Sequence, residues 1–179
     1  MFKPNHLIRS LALAATICGI SVSSAWAGEK FTVAGITFTK PDNWVKVAPA
    51  SSMRAAQLEV RDGSAKADVV FFYFGPGGAG GVDANVDRWL KQFQEPKNKL
   101  NAKIEAKTIS GTKVTFVEAT GTFMDGRPFG PKTPKAGYGL LGIIVEGPQG
   151  AIFIKETGPK KLVEASKKRA RKMVEDALK

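Results

Sequence analysis

From Lys30 onward the chain alternates apolar and polar positions in short runs separated by turn residues. Between Lys30 and Thr39, Phe31 and Val33 and then Ile36 and Phe38 alternate with polar neighbours around Ala34-Gly35, the pattern of a hairpin. Arg54 to Arg61 alternates again, which predicts a strand with Ala56, Leu58 and Val60 inward and Gln57, Glu59 and Arg61 outward. Asp62-Gly63-Ser64 is turn chemistry, so this strand should run antiparallel into Asp68 to Phe74. Val69 to Phe74 has no polar face and belongs at the centre of a sheet covered on both sides. A glycine-rich stretch, Gly75 to Gly81, follows it. Asp83 to Gln94 then repeats every three to four residues, with Val86, Trp89, Leu90 and Phe93 on one helical stripe. Asp83 suits an N-cap, and Pro96 stops the helix.

Pro41 and Pro49 bracket what reads as an irregular connection containing Trp44, because each disfavours helix in the residue before it. Lys103 to Ile109 sets Ile104, Ala106 and Thr108 against Lys103, Glu105 and Lys107, as in a charged edge strand. Lys113 to Phe123 is a longer strand, and Met124 to Gly137 reads as a Pro/Gly-rich loop. Tyr138 to Glu146 and Ala151 to Thr157 form a hairpin across Gly147-Pro148-Gln149-Gly150. Gly158-Pro159 opens a final helix, with Leu162, Ala165, Ala170, Met173, Val174 and Ala177 as its buried stripe. Glu164/Lys168 and Glu175/Lys179 are spaced as i, i+4 ion pairs on that helix. The elements predict an α+β domain, a largely antiparallel sheet of about seven strands covered by two helices. No repeat or linker divides it.

The first residues have another purpose. Lys3 and Arg9 precede an apolar run from Leu11 to Val22, and Ala25-Trp26-Ala27 places small residues at −3 and −1 of a cleavage site. We therefore expect residues 1–27 to be a cleaved signal peptide, Gly28 to be the mature N-terminus, and 28–179 to be one domain in the periplasm or outside the cell. Cys18 offers a lipid anchor instead, but Ile17 stands where a lipobox needs a small residue. The apolar run is also shorter than the ~20 residues of a spanning helix. Cys18 and His6 are the only cysteine and histidine, so the mature domain has no disulfide, Ser-His-Asp or Cys-His chemistry, or Cys/His zinc site. The full chain carries a net charge of +11, and losing Lys3 and Arg9 leaves +9. That excess favours acidic partners.

Pro41-Asp42-Asn43-Trp44, the opening hairpin, and the last hairpin leading into a terminal helix together resemble the PsbP/Mog1-like α/β/α sandwich. Ser51 to Gln57, Phe72-Tyr73-Phe74-Gly75, Gly147 to Gly150 and Thr157-Gly158-Pro159 resemble an uncharacterised exported bacterial protein family. The resemblance spans nearly all of Lys30 to Lys179. It implies a non-catalytic accessory, assembly or binding protein and assigns no functional residue.

Gly75-Pro76-Gly77-Gly78-Ala79-Gly80 matches a dinucleotide-binding fingerprint. Export, antiparallel neighbours, the stiffening Pro76 and the negative charge of Asp83 and Asp87 all count against that reading, which leaves a plain connection. The same two aspartates and Asp125 are candidate acid/base groups, although sequence gives no distance between them. Asp83 to Asp87 resembles the start of a calcium loop, but Arg88 stands where that loop needs Gly. Trp44 and Trp89 read as core or staple positions rather than sugar platforms. The long loop, with Arg127, Phe129, Lys132 and Lys135, and the last helix, with Lys167, Lys168, Arg169 and Lys172, are the candidate partner-binding surfaces.

The reading that follows is an exported, non-catalytic binding or accessory domain of the cell envelope. Its expected partner is an envelope protein or an anionic polymer or lipid surface, with no cofactor; export speaks against nucleic acid. A carboxylate-dependent enzyme acting on cell-wall polysaccharide and a small-molecule carrier are the alternatives.

Overall fold

The computed structural model describes residues 28–126 and 130–179; the leader, with Ala25 and Ala27, and Arg127 to Phe129 lie outside the described residues. The elements are β1 (Lys30–Val33), β2 (Ile36–Thr39), β3 (Trp44–Val47), β4 (Arg54–Asp62), β5 (Ala65–Tyr73), α1 (Val82–Leu90), β6 (Lys103–Ile109), β7 (Thr112–Asp125), β8 (Thr133–Gly147), β9 (Gly150–Pro159) and α2 (Lys160–Ala177). A seven-stranded sheet runs β3-β4-β5-β9-β8-β7-β6, and β1-β2 form a separate two-stranded sheet. Every pairing is antiparallel. The architecture is α+β, as the pattern of strands and helices predicts.

Alternation along the strands divides the sheet into two cores. On one face, Leu58, Val69, Phe71, Phe116, Ile143 and Ile154 pack beneath α2 and the β1–β2 hairpin. The Phe71 ring lies edge-on between those of Phe31 and Phe38, 5.0 and 5.2 Å away, and fastens the hairpin there. On the other face, Val117, Leu140, Ile144 and Phe153 pack beneath α1 through Val86, Trp89 and Leu90. β5 lies between β4 and β9, but its apolar run is not covered on both sides as expected. Val69 and Phe71 enter the α2 core, whereas Phe72 on the other face is half-buried and Phe74, beyond the strand, is exposed because α1 does not reach over them.

Several local expectations change. Trp44 begins a strand rather than an irregular connection and is only 2% exposed. The two prolines constrain Lys40 and Ala48, both outside β3, so pairing with β4 is free to form. The expected loop 124–137 is mostly strand: Asp125 pairs with Thr133, Met124 with Pro134 and Phe123 with Lys135. The connection is therefore only 126–132. Pro134 is tolerated because β8 meets β9 only from Tyr138, leaving that side of the ladder open.

Gly81, not Asp83, caps α1, and it does so without a side-chain bond. α1 ends at Leu90. Phe93 stays buried because the chain after the helix is stitched to β7, with Gln94 N–H donating to Thr122 O at 2.8 Å and Met124 N–H donating to Gln92 O at 2.8 Å. On α2, Pro159 takes the N-cap, and Val163 and Ser166 fill core positions while Ala165 is exposed. The helix pairs Lys160 with Glu164 and Lys172 with Asp176 rather than the two pairs expected. Gln57 and Glu59 point away from the α2 core as predicted but are buried: Arg54 bonds Gln57, and Arg61 and Lys66 both bond Glu59. β6 is an edge strand, but its charged side turns toward α2 and leaves Ile104 53% exposed.

Candidate functional site

Beside α1 the second face of the sheet is left open, and a polar cleft of about 160 Å³ lies there. Val70 and Phe72 of β5 and Lys155 and Thr157 of β9 line it. Gln92, from the segment stitched to β7, and Phe123 and Met124 of β7 form one wall, and Arg54, Asp125 and Lys132 complete the rim. Glu95 secures this wall by accepting the Thr122 N–H at 2.8 Å.

Lys155 sits in the middle of the cleft. Its neighbours Ile154 and Glu156 point into the α2 core, so strand alternation turns Lys155 the other way. Its ammonium donates to Gln92 Oε1 and lies 5.1 Å from the centre of the Phe123 ring. No carboxylate contacts it among the described residues. Burial draws its pKa down to about 8; Arg54 and Lys132 add to that depression, and Asp125 opposes it. Arg54 likewise contacts no carboxylate, donating instead to Gln57 Oε1 at 2.7 Å. Asp68, on the far side, contacts Lys66 at 3.4 Å. The cleft thus holds two cations that touch no carboxylate among the described residues, although Asp68 and Asp125 also line it, and their open side is suited to receiving an anion.

Of the predicted loop residues, Lys132 reaches this cleft and donates to Gly126 O at 3.4 Å. Lys135 lies on β8 opposite Phe123, and Arg127 and Phe129 fall outside the described residues. The predicted basic coat on α2 divides in two. Lys167 bonds Glu118 at 2.9 Å, and Arg171 bonds both Glu105 and Glu118 while its guanidinium stacks 4.1 Å from the Phe116 ring centre. Burial pushes the Glu118 carboxyl up, but these two cations outweigh it and hold it below its usual range. Lys167 is therefore a clamp between helix and sheet. Lys168 and Arg169 are exposed and have no side-chain partner among the described residues, and Lys172 bonds Asp176.

With the topology and cleft in place, comparison gives a specific result. Neither a protein-family model nor a curated protein matches the chain. Among solved structures, the solution structure of cyanobacterial PsbP from Synechocystis matches 88% of this chain and 95% of its own, with a TM-score of 0.52 and 12% identity. The fold is PsbP-like. A crystal structure from Pseudomonas aeruginosa, described as a protein of unknown function and putative regulator, covers 82% of this chain and 93% of its own at a TM-score of 0.39 and 12% identity.

The other candidate groups fall elsewhere on the PsbP-like scaffold. Asp83 is exposed, and Asp87 bonds Lys97 at 2.8 Å, so the pair faces no shared cleft. Glu118 and Glu164 do share a hollow at the start of α2, but both are ion-paired, and a lowered Glu118 pKa does not suit a general acid. No cluster of three or more metal-ligating side chains occurs among the described residues, and no helix there is long and apolar enough to cross a membrane. Asn85 donates to the carbonyls of Ala79 at 2.9 Å and Gly81 at 3.0 Å, so the glycine stretch turns carbonyls inward where a phosphate would need N–H groups. Trp44 and Trp89 are both core residues.

The sequence missed Lys155 and Arg54. The signal available was a lysine following the apolar run Ile152 to Ile154 in the second strand of the expected Tyr138 to Thr157 hairpin.

Proposed function

We propose that this protein is an exported, non-catalytic binding domain of the cell envelope that holds an anionic group of its partner in the cleft between Lys155 and Arg54. The observation carrying this reading is that both cations line one concavity and neither contacts a carboxylate among the described residues. A structural lysine in such a place would ordinarily be paired, since burying an ammonium is costly. The leader pattern at residues 1–27 supports export, and the PsbP-like fold is compatible with an accessory role. The outward cations of α2, Lys168 and Arg169 foremost, supply a second, weaker contact surface for the same acidic partner.

Thermal unfolding of the purified protein with phosphate, sulfate, polyphosphate and anionic vesicles tests the cleft. A ligand that binds only the folded state raises the midpoint by mass action. The shift should vanish in Lys155→Met and fade as pH rises above about 8, where Lys155 loses its proton. A shift that Lys155→Met leaves intact would remove the cleft from the proposal. Export is tested separately by the mass of protein recovered outside the cytoplasm, which should begin at Gly28.

A further inference from the structure

The cleft continues into an apolar ledge. Phe72, part of its lining, is stacked on Phe74 with ring centres 6.1 Å apart and planes 9° apart. Phe74 also lies 6.3 Å from Phe153, yet it remains 45% exposed. This exposure is built into the turn. Gly78 packs so closely over the Phe74 carbonyl that a Cβ there would lie 2.1 Å from the oxygen, and the Gly78 N–H donates to Gly75 O at 3.1 Å. Arg54 is the register partner of Phe72, so the cation and the ring meet across β4 and β5. Lys155 and Arg54 therefore lie beside a run of aromatic side chains, with Phe72 lining the cleft and the exposed Phe74 stacked beyond it.

We infer that the cleft takes an amphipathic acid, a carboxylate or phosphate group seated between Lys155 and Arg54 with an acyl or aryl body lying over Phe72 and Phe74. This rests on the anion-binding reading above and adds the apolar body to it. The cleft volume of about 160 Å³ admits a head group, so the body must leave along the open side, where the aromatic ledge begins. A simple inorganic anion would leave the ledge in water. An uncharged chain would bring the ammonium no acceptor beyond Gln92.

The test is isothermal titration of the purified full-length export product with acetate, hexanoate, decanoate, hexyl phosphate, inorganic phosphate and decanol. Carboxylates should bind more tightly by about twofold per methylene, half the increment of full burial because the ledge covers one side only. Hexyl phosphate should follow hexanoate, decanol should bind at least tenfold more weakly than decanoate, and Lys155→Met should abolish that difference. Phe74→Ser, at an exposed position, should flatten the chain-length series while leaving acetate binding unchanged. Acetate or phosphate binding as tightly as decanoate would overturn the apolar body and leave the anion site standing. Equal binding of decanoate and decanol, or no binding by any of them, would overturn both. If hexyl phosphate alone binds among the tailed ligands, the source is phosphate-headed lipid and the proposal stands in that form.

Discussion

The Ser166 hydroxyl on α2 meets the carboxyl of Glu156 on β9, and the same hydroxyl reaches the Val163 carbonyl at 2.9 Å. It has one proton for two acceptors. A neutral Glu156 resolves the conflict by donating its own O–H to Ser166 Oγ, which then donates to Val163 O. Glu156 is fully buried, and Oε2 has no partner. Burial raises its pKa to about 7, although Ser166 opposes the shift. Because the folded pKa lies above the ordinary value of 4.5, the folded state holds its proton more tightly. The associated stability is fully present below about pH 4.5 and is lost as pH rises to about 7. Glu156→Gln, which keeps a donor toward Ser166, should remove that slope and be more stable than wild type above pH 7, by on the order of 3 kcal/mol at most. Urea melts of both proteins from pH 4 to 8 would check this; parallel pH profiles would show that Glu156 is not the titrating group.

Trp89 of α1 occupies the space a side chain at Gly142 of β8 would need: a Cβ there would lie 2.2 Å from Cζ3 of the indole. The indole is wedged edge-on to Phe153, 6.5 Å between centres, so it cannot simply retreat. Gly142→Ala should cost about 1–3 kcal/mol, the usual range for an overpacked core. Trp89→Leu alone should also destabilise, but the two substitutions together should cost less than their sum, since each relieves the other. A strictly additive cycle would mean that α1 shifts freely over the sheet.

The fold was legible where local pattern and tertiary pairing agree. The all-apolar Val69 to Phe74, the 147–150 turn and the charged edge of Lys103 to Ile109 announce themselves in sequence and take the expected places in the sheet order, although Phe72 and Phe74 lack the cover expected on their face. Trp44 and the 133–137 part of β8 were obscured by prolines: Pro41 and Pro49 act only on residues outside β3, and Pro134 stands where β8 has no second ladder partner. The cleft was the least visible feature. Arg54, Gln92, Lys132 and Lys155 are scattered along the chain, and only the insertion of β9 between β5 and β8 brings them together. On α2, helical period alone could not separate Lys167 and Arg171, which turn to the sheet, from Lys168 and Arg169, which do not.

Asn85 holds the start of α1 to the turn before it. Its amide serves the carbonyls of Ala79 and Gly81, and its Oδ1 accepts from Arg88 Nη1 at 2.9 Å. Asn85→Ala removes the amide from two part-buried carbonyls, of which Gly81 O keeps the Asn85 N–H at 3.3 Å, and should cost about 1 kcal/mol. The loss should be local before it is global. Hydrogen exchange should quicken most over 78–86 while the central strands keep their protection; uniform change across the domain, or none, would count against an anchoring role.

The two kinds of basic residue on α2 separate under charge reversal. Lys168→Glu with Arg169→Glu touches exposed side chains without partners among the described residues, so the unfolding midpoint should change little, whereas attachment to anionic vesicles or envelope fractions should weaken. Raising the salt should reproduce that loss in the wild type. Lys167→Glu instead sets a carboxylate against Glu118, which Lys167 and Arg171 otherwise neutralise at 2.9 and 3.1 Å. That contact is half-exposed, so solvent screening limits the penalty to about 1 kcal/mol for the lost pair, with repulsion added to it. It should appear as a lower melting temperature before any change in binding. If Lys167→Glu weakens attachment as strongly as the double variant while melting like the wild type, the division of the helix into a clamp and a free face is wrong. If the double variant leaves attachment intact, α2 is no contact surface, and the cleft on the opposite face must carry binding alone.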